Sequence, residues 1–457
     1  MKGKLTFCGG TGTVTGANFL LEIADLKILV DCGLVQGDDN ADNINRADFI
    51  YDPSSIDYLL ITHAHTDHIG RIGKLVKDGF RGQILSTPET KDLSVFLLED
   101  AVKLLDHEAR TKGILPLYEA KDVAQAMSLW QTVPYHTHKE LKNGVSIYLK
   151  DAGHVIGSSM IELSVKGGEK MVFTGDLGNS PSILLKDTEE ITDAKYILME
   201  SVYGDRNHAP KEERKKKLKQ VIEDTIKYKR TLIIPAFSLE RTQMMIYEMN
   251  EMFESHEIKQ QIPVFIDSPL ATKITQVYKN YPEDFNDKVR QDIEKGDDIF
   301  AFPRLKFTVQ TEESMAIDNM PNPKIIMAGS GMSSGGRIVA HEKHYVSNPN
   351  AMILFVGYQA AGTLGRKLQD GAKVVTIYGE DKEVHAKIDS IPGYSSHKDS
   401  DGLTDFVAKA AESGKLVQVF VVMGEPKSSL FLVQKIRDNL GVNAYHPEYK
   451  ETVEIEL

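Results

Sequence analysis

This chain contains a dense run of histidines and an aspartate, His63-Ala64-His65-Thr66-Asp67-His68, directly after the apolar segment YLLIT. A short continuous apolar run predicts a buried strand, so the polar run lies on the loop that leaves this strand. Imidazole and carboxylate groups are ligands that zinc accepts, and so dense a set has few other uses. An exposed polar loop is the alternative. The run predicts a metal-binding loop at the edge of a sheet.

Two further candidate ligands follow later β-rich segments. His154 lies in DAGHVIGSS and Asp176 lies in FTGDLG, and both have glycines nearby that let the backbone approach closely. Alone, each residue would more often be structural. Loops at strand ends are where α/β proteins carry their functional side chains. Three such loops in one chain therefore favour a shared metal centre.

The length of 457 residues exceeds the usual size of one domain, so we expect two domains or one large insertion. No apolar run approaches the ~20 residues that span a bilayer, and the N-terminus lacks the apolar core of a signal peptide. Cys8 and Cys32 are the only cysteines and cannot build a disulfide framework, which favours the cytoplasm. A net charge of −12 argues against a nucleic-acid coat protein, but not against an enzyme whose cleft carries metal ions.

The pattern of strands and helices changes twice along the chain. Residues 1–204 alternate β-rich segments with glycine turns, which predicts an α/β sandwich. Residues 205–380 alternate strands and helices, as a doubly wound unit does. Residues 381–457 return to the first pattern. The sequence therefore predicts an α/β sandwich interrupted by an inserted α/β domain.

The motifs HxHxDH, GHxxGS and TGD, in this order, resemble those of the metallo-β-lactamase superfamily. The wider set is similar to the β-CASP branch, which includes the endonuclease subunit of the pre-mRNA 3′-cleavage factor, ribonuclease J and Artemis. The matching segments run through the whole chain: VTGANFLLE, VDCGLVQG, ESVYGDR, PAFSLERTQ, DSPLA, GSGMSSGGR, GYQAAGTLGR and SSH. The resemblance implies a metallo-β-lactamase αββα sandwich with an inserted β-CASP domain.

The resemblance also implies a site for two zinc ions. It assigns His63, His65 and His154 to the first ion and Asp67 and His68 to the second, with Asp176 as the bridge. Asp31, in VDCG, is expected to be a buried carboxylate that orients the histidine loop.

The implied reaction is hydrolysis of single-stranded RNA by a hydroxide shared between the metals. His397, in GYSSHKD, matches the proposed general acid of the branch, and Glu200 would hold its imidazole charged and oriented. With Asp67, these are the predicted catalytic residues. The alternative for His397 is a surface position at a helix start capped by Ser395 and Ser396.

Three residues are candidates for binding phosphate: Ser330 and Gly331, in a GSGM segment that we expect to open a helix, and Ser395. For the GSGM segment, a structural turn is the alternative. The basic run at 214–219 alternates with glutamates, which favours a solvated helix face. The remaining histidines of interest are expected on the surface: His136, His138, His341 and His344.

One position departs from the family pattern. RNA-cleaving members carry a histidine that completes the second zinc, and Met423 stands there in this chain. A thioether is a poor zinc ligand, so the second site is expected to be weaker. DNA-acting relatives carry an aliphatic residue there, which leaves a DNA nuclease as the alternative.

Other classes of function also have to be weighed. A non-catalytic nucleic-acid-binding scaffold is the second alternative, and the retained ligands argue against it. A small-molecule hydrolase of the same fold is disfavoured by the insertion. The expected partners are single-stranded RNA and a second copy of the chain in a homodimer, without a membrane.

Overall fold

The computed structural model describes residues 1–37, 40–360 and 362–457. The chain forms two compact units. The sandwich unit comprises Met1–Asn207 and Ser396–Leu457, and the insertion unit comprises His208–Ser395. No helix in these described ranges is long and apolar enough to cross a membrane.

The insertion ends later than the sequence pattern indicated. We placed its end at residue 380, but the strand Lys387–Ser390 pairs in parallel with Ala351–Phe355. Backbone pairing commits this strand to the sheet of the insertion unit, so residues 381–395 belong there and not to the sandwich.

The strands, in chain order, are β1 (Lys2–Gly9), β2 (Asn18–Ile23), β3 (Leu26–Val30), β4 (Tyr58–Leu60), β5 (Gln83–Ser86), β6 (Trp130–Thr132), β7 (Lys139–Glu140), β8 (Val145–Asp151), β9 (Ser159–Val165), β10 (Lys170–Phe173), β11 (Ala194–Met199), β12 (Thr231–Pro235), β13 (Val264–Ile266), β14 (Leu305–Phe307), β15 (Lys324–Ala328), β16 (Ala351–Phe355), β17 (Val374–Ile377), β18 (Glu380–Glu383), β19 (Lys387–Ser390), β20 (Gln418–Val421), β21 (Ala444–Tyr445) and β22 (Thr452–Glu456).

The α-helices are α1 (Ala41–Arg46), α2 (Thr66–Ile69), α3 (Ile72–Lys77), α4 (Pro88–Lys112), α5 (Ala120–Ser128), α6 (Lys211–Lys227), α7 (Arg241–Glu254), α8 (Pro269–Asn280), α9 (Asp287–Glu294), α10 (Thr311–Asp318), α11 (Arg337–Tyr345), α12 (Leu364–Gln369), α13 (Ser400–Ala411) and α14 (Pro426–Leu440). Short 3-10 helices occur at Pro53–Ser55, Lys142–Gly144 and Pro282–Asp284.

Two seven-stranded sheets build the sandwich unit. Their strand orders are β22-β1-β2-β3-β4-β5-β6 and β21-β20-β11-β10-β9-β8-β7. Leu5 and Phe19 of the first sheet share one buried cluster with Ile161, Phe173 and Phe420 of the second, so the sheets pack face to face. Burial of this apolar surface is the main term that holds two sheets together.

Helices cover the outer faces of the sandwich. The second sheet packs Val172 and Val419 against Leu403 of α13 and Val433 of α14. On the side of the first sheet, α4 contacts β6 and α3 packs against α5. The result is the four-layer αββα arrangement that the family resemblance implied.

The insertion unit has a six-stranded parallel sheet of order β14-β13-β15-β12-β16-β19, and β17 pairs with β18 in a separate hairpin. Every residue of β12, β15 and β16 is buried. Continuous burial of this kind is typical of parallel strands with both faces covered. The apolar runs IIMAGSGM and MILFVGY predicted buried parallel strands, which β15 and β16 confirm. The run VVTIYG was expected to be a third such strand, but it forms β17, which is only half buried and pairs antiparallel with β18.

Local signals fix the longest helix. Thr87 caps α4 by accepting the backbone N–H of Thr90, and Pro88 occupies the first helical position. Gly113 ends the helix in a left-handed conformation. This helix agrees with the PETKDLSVFLLEDAVKLL pattern and its proline start.

Candidate metal centre

Strand direction brings the candidate residues to one edge of the sandwich. β3, β4 and β5 run parallel in the first sheet, and β10, β11 and β20 run parallel in the second. β9 is antiparallel to both β8 and β10, so β8 runs the same way as β10. His63, His154 and Asp176 follow β4, β8 and β10, where carboxyl ends of strands meet.

Four side chains converge within a small volume. Ligand atoms of His63, His65, His154 and Asp176 all lie within 4.8 Å of one another. The Nδ1 atom of His65 lies 3.1 Å from Nε2 of His63 and 3.2 Å from Nε2 of His154. Three imidazole nitrogens and a carboxylate this close together are a set of donors that can hold a divalent metal ion.

Asp176 faces histidines with both of its oxygens. Oδ2 lies 3.4 Å from Nε2 of His63 and 3.4 Å from Nε2 of His154. Oδ1 lies 3.4 Å from Nε2 of His68. The carboxylate is buried, and its glycine neighbour Gly175 has a φ of +54° and leaves no room for a side chain against Thr62. A carboxylate divided in this way has the geometry of a bridge between two cation positions.

Asp31 fixes the orientation of His68. Its Oδ2 lies 2.7 Å from Nδ1 of His68, and its two oxygens accept the Thr62 backbone N–H at 2.9 Å and the Thr62 hydroxyl at 2.8 Å. Asp31 and His68 are both buried. Because Nδ1 is engaged, Nε2 of His68 is the nitrogen that faces Asp176. Carboxylates behind ligating histidines select the tautomer and hold the ring.

The environment keeps two of the histidines neutral. Burial, together with the proximity of His63, holds the pKa of His65 well below its ordinary value. Burial and the proximity of His397 do the same for the pKa of His154. A neutral imidazole is the form that binds a metal ion. The Nδ1 atom of His154 is buried and has no hydrogen-bond partner in the described structure.

A second group joins Asp176 to Glu200 and His397. Both Glu200 oxygens lie 3.2 Å from Nδ1 of His397, and Asp176 Oδ2 lies 3.9 Å from the same nitrogen. Burial alone would lower the pKa of His397, but the attraction of Glu200 and then of Asp176 raises it to about 10. The two neighbouring carboxylates thus favour the protonated form of His397.

Backbone pairing explains why a residue far along the chain reaches this site. Gly178 and His397 form an isolated antiparallel bridge. The Asn179 N–H donates to the carbonyl of Ser396 at 2.7 Å, and the Lys398 N–H donates to the carbonyl of Leu177 at 2.7 Å. The segment that carries His397 is thus paired with the residues that directly follow Asp176.

The second predicted metal position is less tightly assembled. Within the described ranges, only the two groups above bring three or more ligand atoms within 4.8 Å of one another, and Asp67 and His68 are in neither. Met423 is 1% exposed and belongs to the apolar cluster between the sheets. Its backbone N–H donates to the carbonyl of Gly10 at 2.6 Å. The methionine is part of the core.

The predicted phosphate-binding residues lie in the other unit. Ser330, Gly331 and Ser395 belong to the insertion unit. We expected GSGM to open a helix, but α11 begins only at Arg337. Residues 329–336 form a loop instead, and the N–H of Ser330 donates to the carbonyl of Gly335.

The expectation of a surface position is confirmed for three of the four remaining histidines and is wrong for one. His136, His138 and His344 are exposed, as expected. His341 is not, since it is 3% exposed and its Nε2 lies 2.7 Å from the buried carboxylate of Asp267. A helical pattern gives the spacing of residues but not the buried acid that draws a histidine inward.

The basic run shows a similar exception. Most of its residues lie on a solvated face of α6, as expected. Arg214 is buried, where it donates to Glu248 at 2.9 Å and lies over the ring of Tyr394.

Three family descriptions match successive parts of the chain. Residues 20–199 match the metallo-beta-lactamase superfamily domain and residues 242–368 match the Beta-Casp domain. Residues 381–447 match the Zn-dependent metallo-hydrolase RNA specificity domain. Ribonuclease TTHA0252 of Thermus thermophilus is 33% identical over 399 residues, which are 87% of this chain and 89% of that protein. The chain belongs to the β-CASP branch of the metallo-β-lactamase superfamily. The predicted family, fold class and metal-dependent hydrolase class are confirmed.

Archaeal members of the β-CASP branch are similar over a longer span. Transcription termination factor FttA of Thermococcus kodakarensis is 29% identical over 470 residues, which are 99% of this chain and 71% of that protein. FttA of Pyrococcus horikoshii is 30% identical over 479 residues, with the same coverage. A crystal structure of a protein of unknown function from Enterococcus faecalis superposes over all of both chains with a TM-score of 0.57 at 12% identity, which shows the fold alone.

Proposed function

We propose that this β-CASP protein is a ribonuclease that hydrolyses phosphodiester bonds of single-stranded RNA at a two-metal centre. The observation that carries the proposal is the convergence of ligand atoms from His63, His65, His154 and Asp176 within 4.8 Å. The choice of RNA rests on the match to an RNA specificity domain and on the relative that is named a ribonuclease.

The donor set suits zinc, because three imidazoles and a carboxylate provide the nitrogen and oxygen ligands that this ion prefers. In this proposal His63, His65 and His154 hold one ion, Asp67 and His68 hold the other, and Asp176 contacts both. Two bound ions would supply a hydroxide near neutral pH and neutralise charge on the attacked phosphate.

The two positions are proposed to differ in affinity. At the first position, three histidines and one oxygen of Asp176 already lie close together, so little rearrangement of side chains opposes metal binding. The second relies on Asp67, His68 and the other oxygen of Asp176, because Met423 lies in the apolar cluster and offers no imidazole. Substrate phosphate would complete this position and tighten it by linkage.

His397 is proposed as the general acid that protonates the departing sugar oxygen. Glu200 faces Nδ1 of His397, so the proton for the leaving group would be held at Nε2. Glu200 is buried and accepts the N–H of Leu177 at 2.6 Å, which fixes the carboxylate and through it the ring. A positioned general acid contributes about 10²- to 10⁴-fold to a rate.

Several finer points belong to the same proposal. Ser330, Gly331 and Ser395 are kept as candidates for phosphate contacts. We also expect a cytoplasmic location and a homodimer. A DNA nuclease and a non-catalytic scaffold are the outcomes against which the proposal is tested.

The test incubates labelled single-stranded RNA and DNA of equal sequence with the full chain, with and without a chelator. We expect cleavage of RNA that the chelator abolishes and added Zn²⁺ or Mn²⁺ restores. Asp176→Asn should lose cleavage, because it weakens both metal positions. Asp193→Asn is the matched control, since that aspartate pairs with Lys170, the first residue of β10. Equal cleavage of DNA would point to a DNA nuclease, and RNA binding without cleavage would point to a scaffold.

A further inference from the structure

The carboxyl edge of the sheet in the insertion unit carries an aromatic side chain that the proposed chemistry does not use. Phe237 follows β12, and the loops after β15 and β16 flank it. Those loops contain Gly331 and Gly357, and the ring of Phe237 lies next to both. Phe237 is 38% exposed, whereas Ala236 before it is 1% exposed.

The order of the strands makes this edge a natural place for a ligand. After β12 the chain continues to β13, which lies on one side of β12 in the strand order. After β15 it continues to β16 and then to β19, which lie on the other side of β12. Crossovers between parallel strands are right-handed, so connections in opposite directions place their helices on opposite faces. The connection after β12 therefore leaves toward one face of the sheet, and the connections after β15 and β16 leave toward the other. Open α/β sheets bind ligands where the strand order reverses in this way.

The ring of Phe237 rests on backbone. A Cβ atom added to Gly331 would lie 2.7 Å from Cδ2 of the ring, and one added to Gly357 would lie 4.0 Å from Cε2. Glycine at 331 is what allows this close contact. A Cβ atom at Gly335, in the same loop, would meet no atom within 4 Å. Glycines thus support the ring without covering it.

Hydrogen bonds hold the segments around the ring. The N–H and hydroxyl of Thr242 donate to the carbonyl of Phe237, at 3.3 and 2.7 Å. The side chain of Gln243 donates to the carbonyl of Ser238 at 3.1 Å. Buried Gln359 donates to the carbonyl of Gly331 at 2.9 Å and joins the loops after β15 and β16. The backbone that carries the ring and the loop beside it are therefore held in place before any ligand binds.

We propose that Phe237 is a stacking platform for one unpaired nucleobase of the RNA substrate. This inference rests on the proposed ribonuclease function. Aromatic rings that are rigid and partly exposed bind single strands by stacking, with little preference for sequence. Tyr358, which is 60% exposed and directly follows Gly357, is a second aromatic side chain at the same edge. A single exposed phenylalanine on a protein surface would need no explanation, but Phe237 lies where the strand order of the sheet reverses.

The test compares Phe237→Leu with the wild type on single-stranded RNA, using intact strands and strands in which one nucleotide at a time is abasic. Leucine keeps apolar volume and removes the π face. We expect KM to rise roughly 5- to 100-fold with kcat nearly unchanged, because the ring contacts a base and not the reacting atoms. Phe237→Trp should retain a KM near that of the wild type. Tyr378→Leu, an exposed aromatic in the β17–β18 hairpin, is the control and should not change KM.

The abasic strands distinguish stacking from a packing defect. At one position, removing the base should raise KM for the wild type and leave KM of Phe237→Leu unchanged, so the two losses are not additive. Additive losses, or an unchanged KM for Phe237→Leu while the wild type cleaves RNA, would overturn the platform and leave the ribonuclease proposal standing. A wild type that does not cleave RNA would overturn both.

Discussion

His68 is held at both edges of its ring. Asp31 lies 2.7 Å from Nδ1 and Asp176 lies 3.4 Å from Nε2. Burial opposes protonation of His68, but these two carboxylates outweigh it and raise its pKa. At the scale of residues, the site is therefore defined by groups that orient one another. Two positions in it, His397 and Met423, yield predictions.

The first prediction concerns His397 and its partner Glu200. His397→Ala should leave the metal content nearly unchanged, because His397 is outside the proposed ligand set, and should lower RNA cleavage by roughly 10²- to 10⁴-fold. The defect should shrink on a nitrophenyl phosphodiester, whose leaving group needs no proton. His136→Ala is the control, since His136 is exposed and pairs with Glu189. An equal defect on both substrates would reject the general-acid role.

The second concerns Met423 and the proposed weaker metal position. Purified wild type should hold between one and two zinc ions per chain after mild dialysis, because the second position lacks an imidazole. Met423→His should raise the count toward two and reduce the stimulation by added Zn²⁺. Met423→Leu keeps an apolar side chain in the cluster and should behave as the wild type. Two tightly held ions in the wild type would mean that another residue takes the place of the missing imidazole, which would contradict this prediction.

At the scale of elements, the helix α11 shows a buried charged cluster. Nε2 of His341 lies 2.7 Å from Asp267, and Nδ1 lies 3.5 Å from Asp318. Arg337 also donates to Asp267 at 2.7 Å. Glu342, the next residue in the helix, is buried and accepts a hydrogen bond from the Ser333 hydroxyl. Burial raises the pKa of Glu342 to about 7. Burial would lower the pKa of His341, but Asp267 and Asp318 raise it.

This cluster predicts a stability that depends on pH. A histidine with a raised pKa stabilises the fold fully below its ordinary pKa of about 6.5, and this contribution falls as pH rises through the raised value. Asp267, with a pKa lowered to about 2, stays ionised throughout. His341→Gln should therefore cost about 1.5–3 kcal/mol at pH 6 and less at pH 9, measured by hydrogen exchange in β15 and α11. His344→Gln, on the exposed side of the same helix, should cost little at either pH. An equal cost for His341→Gln at both pH values would contradict the charged pair.

The same elements show what a sequence can predict. Apolar spacing and a proline start predicted α4, and continuous apolar runs predicted β15 and β16, because these signals are local. His341, Arg214 and the end of the insertion were missed, because each depends on a partner distant in sequence: Asp267, Glu248 and β16. For the metal centre, the spacing of HxHxDH and the family resemblance indicated which loops meet. The role of Asp31 as the acceptor for both Thr62 and His68 required the coordinates.

At the scale of the whole molecule, the sandwich is completed only after the insertion. β11 pairs in parallel with β20, although the insertion unit separates them in sequence. The bridge between Gly178 and His397 likewise joins the two parts of the sandwich unit. Every proposed metal ligand therefore precedes the insertion, whereas the proposed general acid follows it.

Anomalous diffraction at the zinc absorption edge, from crystals grown with one molar equivalent of Zn²⁺, would locate the bound metal. We expect a peak between His63, His65, His154 and Asp176, and a weaker peak or none between Asp67, His68 and Asp176. With excess Zn²⁺ and a non-cleavable RNA analogue, the second peak should strengthen. Zinc bound elsewhere in the chain, with no peak among these four residues, would contradict the metal centre on which the proposed function depends.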